Sequence, residues 1–366
     1  MTNILVYAPN ASTSGVTNAV YTLHKDMDKT KIRISVVTWP DNEKLCKLAQ
    51  DFGGEVYPFH LFYWRNPRLY KKKFKEILSS QEFDVVVFHI SYVTSLYPFI
   101  LASKCNIKKI IVHSHSSNVE TASKMKRLFL TSIHYLLRGE LKKYSTLQLC
   151  CSGKSGEWMY GHSATPLIIN NAIELNDYKF NPETREKLRI LYGVENAVVI
   201  GHVGRLSYAK NQKYLIEIFA EILNQVPNAR LWIIGDGPLR EELEKKINSL
   251  CLSSEIKLWG NRNDVKALLN CMDCFVLPSK FEGAPVAAIE AQANGLPCVI
   301  SSNVDMGCII TSNAVCEHIG SGKQKWANVI IKQSKIGRRD ENITEIEAKG
   351  WELKDAKTQL EKAYIN

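Results

Sequence analysis

Apolar runs typical of β-strands alternate with amphipathic helical segments along almost the whole chain. The strand-like runs are residues 4–8, 32–38, 84–89, 109–113, 146–151, 167–169, 198–203, 230–235, 255–259, 273–277 and 297–300, and the clearest helical segments are 121–142, 211–225, 238–250 and 264–270. Successive parallel strands need a crossover connection, so this alternation predicts an α/β fold of parallel sheets with helices on both faces. A chain of 366 residues is long enough for two such sheets.

Composition and charge indicate where the two domains meet. The stretch 170–184, NNAIELNDYKFNPET, is rich in Asn and interrupts the alternation. Lys and Arg exceed Asp and Glu by 23 to 14 in the first 180 residues, but only by 24 to 23 in the remainder. We therefore predict an N-terminal domain over 1–172 and a C-terminal domain over 173–350. The charged amphipathic segment 351–366 predicts a last helix that packs back on the first domain.

The termini, apolar runs and cysteines favour a cytoplasmic protein. The first strand follows Met1 almost at once, with no signal segment visible. The longest uncharged apolar run, 85–103, contains Pro98 and several hydroxyl residues, and predicts a strand and a helix rather than a membrane span. Ten scattered cysteines favour free thiols. The CxxC pair Cys271 and Cys274 predicts a helix end and a strand start rather than a zinc site, because it has no second ligand pair.

The basic excess of the first half predicts an anionic partner. It is concentrated in the segments 65–75, 124–127 and 138–143. Tyr63, Trp64 and Tyr70 lie among the cations of the first segment, and we interpret the combination as a site that docks on an anionic membrane surface. The alternative is a basic surface that only binds a soluble anionic acceptor or keeps the protein soluble. No nucleic-acid-binding signature is present, so nucleic acid is not a predicted partner.

The segment 278–301, PSKFEGAPVAAIEAQANGLPCVIS, carries two carboxylates in apolar surroundings. Glu282 lies in a predicted loop, and Glu290 lies in a predicted short helix that Pro285 begins and Gly295 ends. An unpaired buried carboxylate is unfavourable by several kcal/mol or more, on the order of the cost of other buried polar groups. Either the chain or a ligand must therefore supply a partner for Glu290.

The loop GRLSYAKNQ, residues 204–212, joins a predicted strand to a predicted helix. Gly204 permits a tight turn, and Arg205 and Lys210 bring two cations to the start of the helix, where a phosphate would be well held. Taken alone, such a loop is more often only an exposed charged surface. IIGDGP, residues 233–238, predicts a tight strand-to-helix turn, and no dinucleotide-binding GxGxxG follows either this strand or the first one.

Two further motifs contain residue types that could take part in chemistry. HSHSS, residues 113–117, places His115 on a loop after a strand, where it could donate to a sugar or phosphate. His113 is expected to point into the strand, which disfavours a metal site. DMD, residues 26–28, matches the DxD pattern of metal-dependent sugar transferases, but its position at a helix end predicts a solvated surface.

Together, GRLSYAKNQ, IIGDGP, HSHSS and the segment with Glu282 and Glu290 resemble retaining glycosyltransferases of family 4. The two glutamates match the EX7E motif of that family. The resemblance is close over about 195–305 and is in outline only in the first half. It implies the GT-B fold, in which two Rossmann-like doubly wound domains face a central cleft. It also implies synthesis of bacterial capsule, exopolysaccharide or other surface glycans.

The resemblance assigns roles to particular residues. Glu290 is expected to hold the ribose hydroxyls of a nucleotide-sugar, and Glu282 is expected to face the donor sugar. Arg205 and Lys210 are expected to bind the diphosphate, and His115 is expected to lie near the reacting carbon. Backbone contacts to the donor are expected at Gly204, Gly283 and Ala284. Gly15 and Asn263 are expected in the donor pocket. The cations replace the metal of DxD enzymes, so no metal or other cofactor is expected.

The loop ASTSGVTN departs from the family pattern, because many relatives have a Gly-Gly pair there and this chain has Gly15 alone. The roles of Ser14, Gly15 and Thr17 toward an acceptor therefore stay open. The predicted function is transfer of a hexose or N-acetylhexosamine from a nucleotide-sugar, expected to be a UDP-sugar, to a glycan or lipid-linked acceptor on the inner face of the membrane. The alternatives are a non-catalytic nucleotide-sugar-binding subunit and a sugar-nucleotide epimerase.

Overall fold

The computed structural model describes residues 1–9, 14–61, 65–338 and 342–365. The chain forms two compact units. The first consists of Met1–Val119, Ser123–Ala172 and the C-terminal segment that begins at Leu353. The second consists of Glu120–Ala122 and Ile173–Glu352. Each unit is built around one parallel β-sheet.

The sheet of the first unit has seven strands in the order β3-β2-β1-β4-β5-β6-β7. The strands are β1 (Thr2–Tyr7), β2 (Ile32–Thr38), β3 (Val56–Pro58), β4 (Val85–Ile90), β5 (Lys109–Ser114), β6 (Leu147–Cys150) and β7 (Leu167–Ile168). The helices are α1 (Gly15–His24), α2 (Glu43–Asp51), α3 (Pro67–Leu78), α4 (Tyr97–Ser103), α5 (Lys124–Arg138) and α6 (Gly153–Tyr160), with the C-terminal α14 (Leu353–Ile365).

The sheet of the second unit has six strands in the order β10-β9-β8-β11-β12-β13. The strands are β8 (Val198–Val203), β9 (Ala229–Ile234), β10 (Ile256–Gly260), β11 (Cys274–Leu277), β12 (Cys298–Ser301) and β13 (Ala314–Glu317). The helices are α7 (Pro182–Leu191), α8 (Gln212–Leu223), α9 (Arg240–Ser249), α10 (Val265–Cys271), α11 (Val286–Ala293), α12 (Lys323–Ser334) and α13 (Asn342–Ala348).

Every predicted strand is present, and the predicted α/β class of two parallel sheets is confirmed. The run 85–103 forms β4 and α4, as predicted. The prediction missed β3 and β13, which are short strands at sheet edges. A short run with one paired side carries little apolar pattern for a sequence to show.

Both faces of each sheet are covered, which explains the nearly continuous apolar strands. In β1, Ile4 and Val6 face one apolar core of the first unit, whereas Leu5 and Tyr7 face the other. The C-terminal helix α14 contributes Leu353, Ala356, Leu360 and Tyr364 to the core that contains Ile4. Their spacing of three or four residues puts these side chains on one helical face.

The cysteines agree with two predictions, that the thiols are free and that Cys271 and Cys274 mark a helix end and a strand start. All ten cysteines are free, and six of them are buried. Cys271 ends α10 and Cys274 begins β11. Within the described residues, no helix combines the length and the apolar character needed to cross a bilayer.

Candidate active site

The candidate site lies at the switch point of the second sheet, where β8 has β9 on one side and β11 on the other. Ligands of open parallel sheets bind beyond the carboxyl ends of the strands at such a point. The loops that leave β8 and β11, residues 204–211 and 278–285, are tied together there. The Lys280 amide donates to the Ala209 carbonyl at 2.7 Å, and the Asn211 side chain donates to the Pro278 carbonyl at 3.1 Å.

The two loops bring Lys210 and Glu282 into an ion pair. Lys210 Nζ lies 2.6 Å from Glu282 Oε2, and the Ser279 hydroxyl donates to Glu282 Oε1. The side chains of the lysine and the glutamate are only 18% and 11% exposed. Since both carboxylate oxygens are engaged within the protein, Glu282 holds Lys210 in place, a contact that the sequence did not predict.

Arg205 differs from Lys210 in its surroundings. It is exposed on the same loop, and its guanidinium forms no ion pair with any residue that the structure describes. One cation of the predicted pair is therefore fixed by a carboxylate, and the other is open to solvent. An exposed guanidinium retains its fork of donors for a planar or tetrahedral anion.

Glycines shape the backbone beneath this loop. A Cβ at Gly204 would lie 3.1 Å from Lys210 Cε, so the glycine leaves room for the lysine side chain. Gly235 has φ +130°, and a Cβ there would lie 2.2 Å from the Gly204 carbonyl oxygen. The Gly-Asp-Gly turn therefore packs directly against the Gly204 backbone, and its interpretation as a tight structural turn is confirmed.

The helix α11 begins without a side-chain cap. Pro285 is its N-cap residue, rather than its first helical residue as predicted, and Gly295, with φ +71°, follows its end. The amides of Gly283 and Ala284 donate to no acceptor among the described residues. An uncapped helix start with unpaired amides before it carries partial positive charge, which favours an anion or a polar ligand oxygen.

The partner of Glu290 is Tyr178, in the 3-10 turn Leu175–Tyr178. The Tyr178 hydroxyl donates to Glu290 Oε1 at 2.7 Å. Burial raises the pKa of Glu290, and this hydrogen bond opposes the increase. The second oxygen, Oε2, accepts no hydrogen bond from any described residue. Nothing in the sequence marks Tyr178, because it lies 112 positions from Glu290.

His202 and Gln212 form a support that sequence reasoning also missed. The buried Gln212 donates through Nε2 to the Arg205 carbonyl at 2.9 Å and to His202 Nε2 at 3.1 Å. His202 Nδ1 in turn donates to the Val276 carbonyl at 2.9 Å. This chain of hydrogen bonds connects β11 to the loop that carries Arg205, so it fixes the backbone of the candidate site.

Three predicted site residues, Asn263, Gly15 and His115, lie outside the two loops that carry Lys210 and Glu282. Asn263 is exposed on the loop after β10. Gly15 is the first residue of α1 in the first unit, where the Ser14 hydroxyl accepts from the Thr17 amide at 3.0 Å.

His115 follows β5 in the first unit and is 8% exposed. Its Nε2 lies 2.8 Å from His89 Nδ1. His113 is a fully buried strand residue, and its ring lies 4.3 Å from that of His115 between centroids. Side chains two positions apart along an extended chain share one face.

Comparison with known proteins gives the class that this geometry fits. Residues 184–347 match the family model described as Glycosyl transferases group 1, and the range includes Arg205, Lys210, Glu282 and Glu290. In structure, the chain is similar to HepE of Anabaena, solved with UDP and glucose, with a TM-score of 0.77, 20% identity and 99% of each chain covered. The fold is therefore that of the GT-B glycosyltransferases, and the sequence matches support the same class.

Two curated relatives extend the comparison. The chain is 26% identical to EpsF of Bacillus subtilis strain 168 over 339 residues, 88% of this chain and 85% of the relative. It is 29% identical to UDP-Gal:alpha-D-GlcNAc-diphosphoundecaprenol alpha-1,3-galactosyltransferase of Escherichia coli over 245 residues, 64% of this chain and 62% of the relative.

Proposed function

We propose that the chain is a retaining, metal-independent glycosyltransferase that moves a hexose or N-acetylhexosamine from a UDP-sugar to a glycan or lipid-linked acceptor in bacterial surface polysaccharide synthesis. One observation carries the proposal. The β8–β11 switch point joins a fixed lysine, an exposed arginine, two amides that pair with none of the described residues, and a carboxylate with one oxygen that accepts from none of them. A nucleoside diphosphate sugar offers complementary groups: its diphosphate suits the two cations, its sugar hydroxyls or phosphate oxygens suit the amides, and its ribose diol suits the carboxylate.

The two cations act on the diphosphate. Arg205 provides a bidentate fork, and Lys210 provides a point charge that Glu282 already holds in position. As the bond to the sugar breaks, negative charge grows on the leaving phosphate, and preorganised cations stabilise it without a metal. Asp26 and Asp28 already have partners in the chain, because Asp26 pairs with Lys357 and Asp28 accepts from Thr30.

The carboxylate of Glu290 acts on the ribose. Its Oε1 is held by Tyr178, which leaves Oε2 to accept from a hydroxyl of the diol. The amides of Gly283 and Ala284 contact the donor sugar or phosphate, and Asn263 contributes to the pocket for the base. Glu282 acts mainly by positioning Lys210. From the family resemblance we also propose a role near the reacting carbon for His115 and a donor-pocket role for Gly15.

The relatives support the donor and the acceptor classes. The E. coli relative is named for a UDP-galactose donor and a diphosphoundecaprenol-linked acceptor. HepE of Anabaena was solved with UDP and glucose. We extend both properties to this chain as part of the proposal.

A donor panel tests the reaction. The full chain is incubated with UDP-, GDP- and ADP-sugars and a lipid-linked sugar acceptor, and the product anomer is read by NMR. We expect turnover with a UDP-sugar, retention of the donor anomer and no loss of rate in EDTA. Inversion or abolition by EDTA would overturn the mechanism. Binding without transfer would indicate the non-catalytic subunit, and an epimerised nucleotide-sugar would indicate the epimerase.

We further propose that the first unit docks on the anionic inner face of the cell membrane. The helix α5 exposes Met125, Leu128, Phe129, Tyr135 and Leu136, which retain 52–84% of their accessible surface. The same helix begins with KMKR, so apolar side chains and cations occur together, as in helices that lie in a bilayer interface.

The aromatic residues that the sequence placed on the docking surface do not support it in the structure. Tyr70 is only 2% exposed and its hydroxyl lies 2.9 Å from that of Tyr7, so it belongs to the core and not to a docking surface. Tyr63 and Trp64 lie outside the described residues. The apolar surface of α5 now carries the proposal, with the basic segment 65–75 in a supporting role.

Vesicle sedimentation tests the docking. The full chain should pellet with anionic vesicles, and pelleting should fall as salt rises toward about 0.5 M because the charges are screened. Replacement of Leu128 and Phe129 by Ser should abolish it, and replacement of Arg65, Arg68 and Lys71–Lys73 by Ser should weaken it. The control replaces Ile190 and Leu191, an exposed pair on α7. Equal pelleting with neutral vesicles would contradict the proposal.

A further inference from the structure

Three buried histidines converge at the carboxyl-terminal edge of the first sheet. His89 of β4 and His113 of β5 are register partners, and His115 lies two positions beyond His113. Strand alternation puts all three side chains on the same face. One ring nitrogen of each lies within 4.8 Å of those of the other two.

Most of the ring nitrogens in this cluster have no hydrogen-bond partner among the residues that the structure describes. The unpartnered atoms are His89 Nε2, His113 Nδ1, His113 Nε2 and His115 Nδ1. The one hydrogen bond is between His89 Nδ1 and His115 Nε2, at 2.8 Å. His24, whose ring lies 5.7 Å from that of His89, is different, because its Nδ1 pairs with the Val20 carbonyl and its Nε2 with Tyr364.

Buried polar atoms are nearly always paired, so four unpartnered nitrogens in one cluster indicate a missing partner. We propose that His89, His113 and His115 form a binding site for a divalent transition-metal ion of the zinc class, with a non-protein ligand such as water in the fourth position. Imidazole nitrogens suit zinc, cobalt and nickel, whereas calcium and magnesium require oxygen ligands.

The geometry and the protonation states are compatible with this ion. Zn–N distances of about 2.1 Å in a tetrahedron place the nitrogens about 3.4 Å apart. Since the three ligand atoms lie within 4.8 Å of one another, each pair needs to close by at most about 1.4 Å. Metal binding needs neutral imidazole. Burial lowers the pKa of all three imidazoles, which favours the neutral form that a metal ion binds.

Occupancy of the site has a consequence for the reaction, and this consequence rests on the proposed function. A bound ion would hold His115, which we place near the reacting carbon of the donor. The metal would therefore inhibit transfer rather than assist it. Metal binding itself does not depend on that role and can be measured separately.

Cobalt titration of the full chain after EDTA treatment and dialysis tests the site. We expect one equivalent of Co²⁺, with the visible bands of a tetrahedral nitrogen-ligated ion. His113→Phe and His89→Phe should each weaken binding by more than about 100-fold, beyond the typical loss for a supporting contact. His162→Phe is the control, because His162 is 85% exposed and pairs with Glu157. His113→Gln replaces His113→Phe if the latter does not fold.

Two binding results would overturn the proposal. One is equal Co²⁺ affinity in the wild type and the His113 and His89 variants. The other is a thiolate charge-transfer band that persists in those variants, which would identify cysteines as the ligands.

A transfer assay completes the test. Zn²⁺ should inhibit the wild type and spare His113→Phe, and equal inhibition of both would overturn the inhibitory consequence. Cobalt binding in a chain with no transfer activity would contradict the proposed function and leave the metal site standing.

Discussion

At the switch point of the second sheet, the loops after β8 and β11 carry Arg205, Lys210 and Glu282. At the corresponding edge of the first sheet, β4 and β5 bring together the buried histidines His89, His113 and His115. The first sheet has the strand order 3-2-1-4-5-6-7 and the second has the corresponding order 10-9-8-11-12-13. The shared topology places a crevice at the carboxyl-terminal edge of each sheet. The residue types decide what each crevice can bind.

The first edge also has a cavity of about 250 Å³, whose lining includes Tyr7, Phe88 and Thr94. Aromatic rings and hydroxyl groups suit an uncharged polyhydroxyl ligand better than a diphosphate. At the second edge, cations and unpaired amides suit an anion. The comparison indicates that one fold, used twice, presents cations at one edge and aromatic rings, hydroxyl groups and imidazoles at the other.

Removal of a cation from the second edge should have the largest effect. Arg205→Ala and Lys210→Ala should each lower turnover by about 10²–10³-fold, comparable to the loss of an oxyanion-stabilising donor, and should weaken UDP binding. Steady-state kinetics and calorimetry measure these changes. Lys213→Ala is the matched control, because Lys213 is 44% exposed and pairs with Glu242. Unchanged kinetics in either variant would move the phosphate site elsewhere.

The two variants should differ in stability. Lys210→Ala leaves the largely buried Glu282 without its cation and should lower the free energy of unfolding by about 1–3 kcal/mol. Arg205→Ala removes an exposed side chain and should change it by less than about 0.5 kcal/mol. Urea denaturation distinguishes them, and equal losses would show that Arg205 has a structural role.

A smaller effect is expected for Glu290→Gln, which should weaken UDP binding by about tenfold, since a bond to a charged acceptor is replaced by a neutral one. A 2′-deoxyribose donor provides the control. The wild type should lose affinity for this donor, and the variant should lose little more. Equal losses in both proteins would make Glu290 structural.

The same residue predicts a pH dependence. Burial raises the pKa of Glu290, so the carboxylate protonates at a higher pH than usual. UDP affinity of the wild type should fall as the pH drops through that raised pKa, because the protonated group is a poorer acceptor. Stability should change in the opposite sense, with a contribution present at low pH that is lost as the pH rises through the raised pKa. Glu290→Gln should show neither trend.

The smallest effect should occur at the first edge without metal. Both ring nitrogens of His113 lack a partner within the described part of the chain, so His113→Phe removes no hydrogen bond seen there. The free energy of unfolding of the metal-free chain should therefore stay within about 0.5 kcal/mol or rise. His24→Phe should lower it by about 1–3 kcal/mol, since the Val20 carbonyl and Tyr364 hydroxyl lose a partner. A similar loss of unfolding free energy in both variants would show that the His113 ring has hydrogen-bond partners within the protein.

The sequence predicted much of the fold because parallel strands are apolar on both faces and helices carry a periodic stripe. The EX7E segment is the clearest case, since Glu282 falls in a loop and Glu290 on α11 as predicted. The errors of the prediction concerned the ends of individual helices. Pro285 was placed one position too far into the helix, and the predicted helix over 121–142 is α5 followed by the 3-10 turn Gly139–Lys143.

What the sequence determined by itself was the parallel α/β architecture and the positions of Arg205, Lys210, Glu282 and Glu290 in the segments after β8 and β11. Only the tertiary structure decided the partners. Tyr178 bonds Glu290 across 112 positions, and Glu282 pairs with Lys210 across 72. The physical reason is that helical and strand periods are local, whereas a hydrogen bond depends on which distant segments the sheet order brings together.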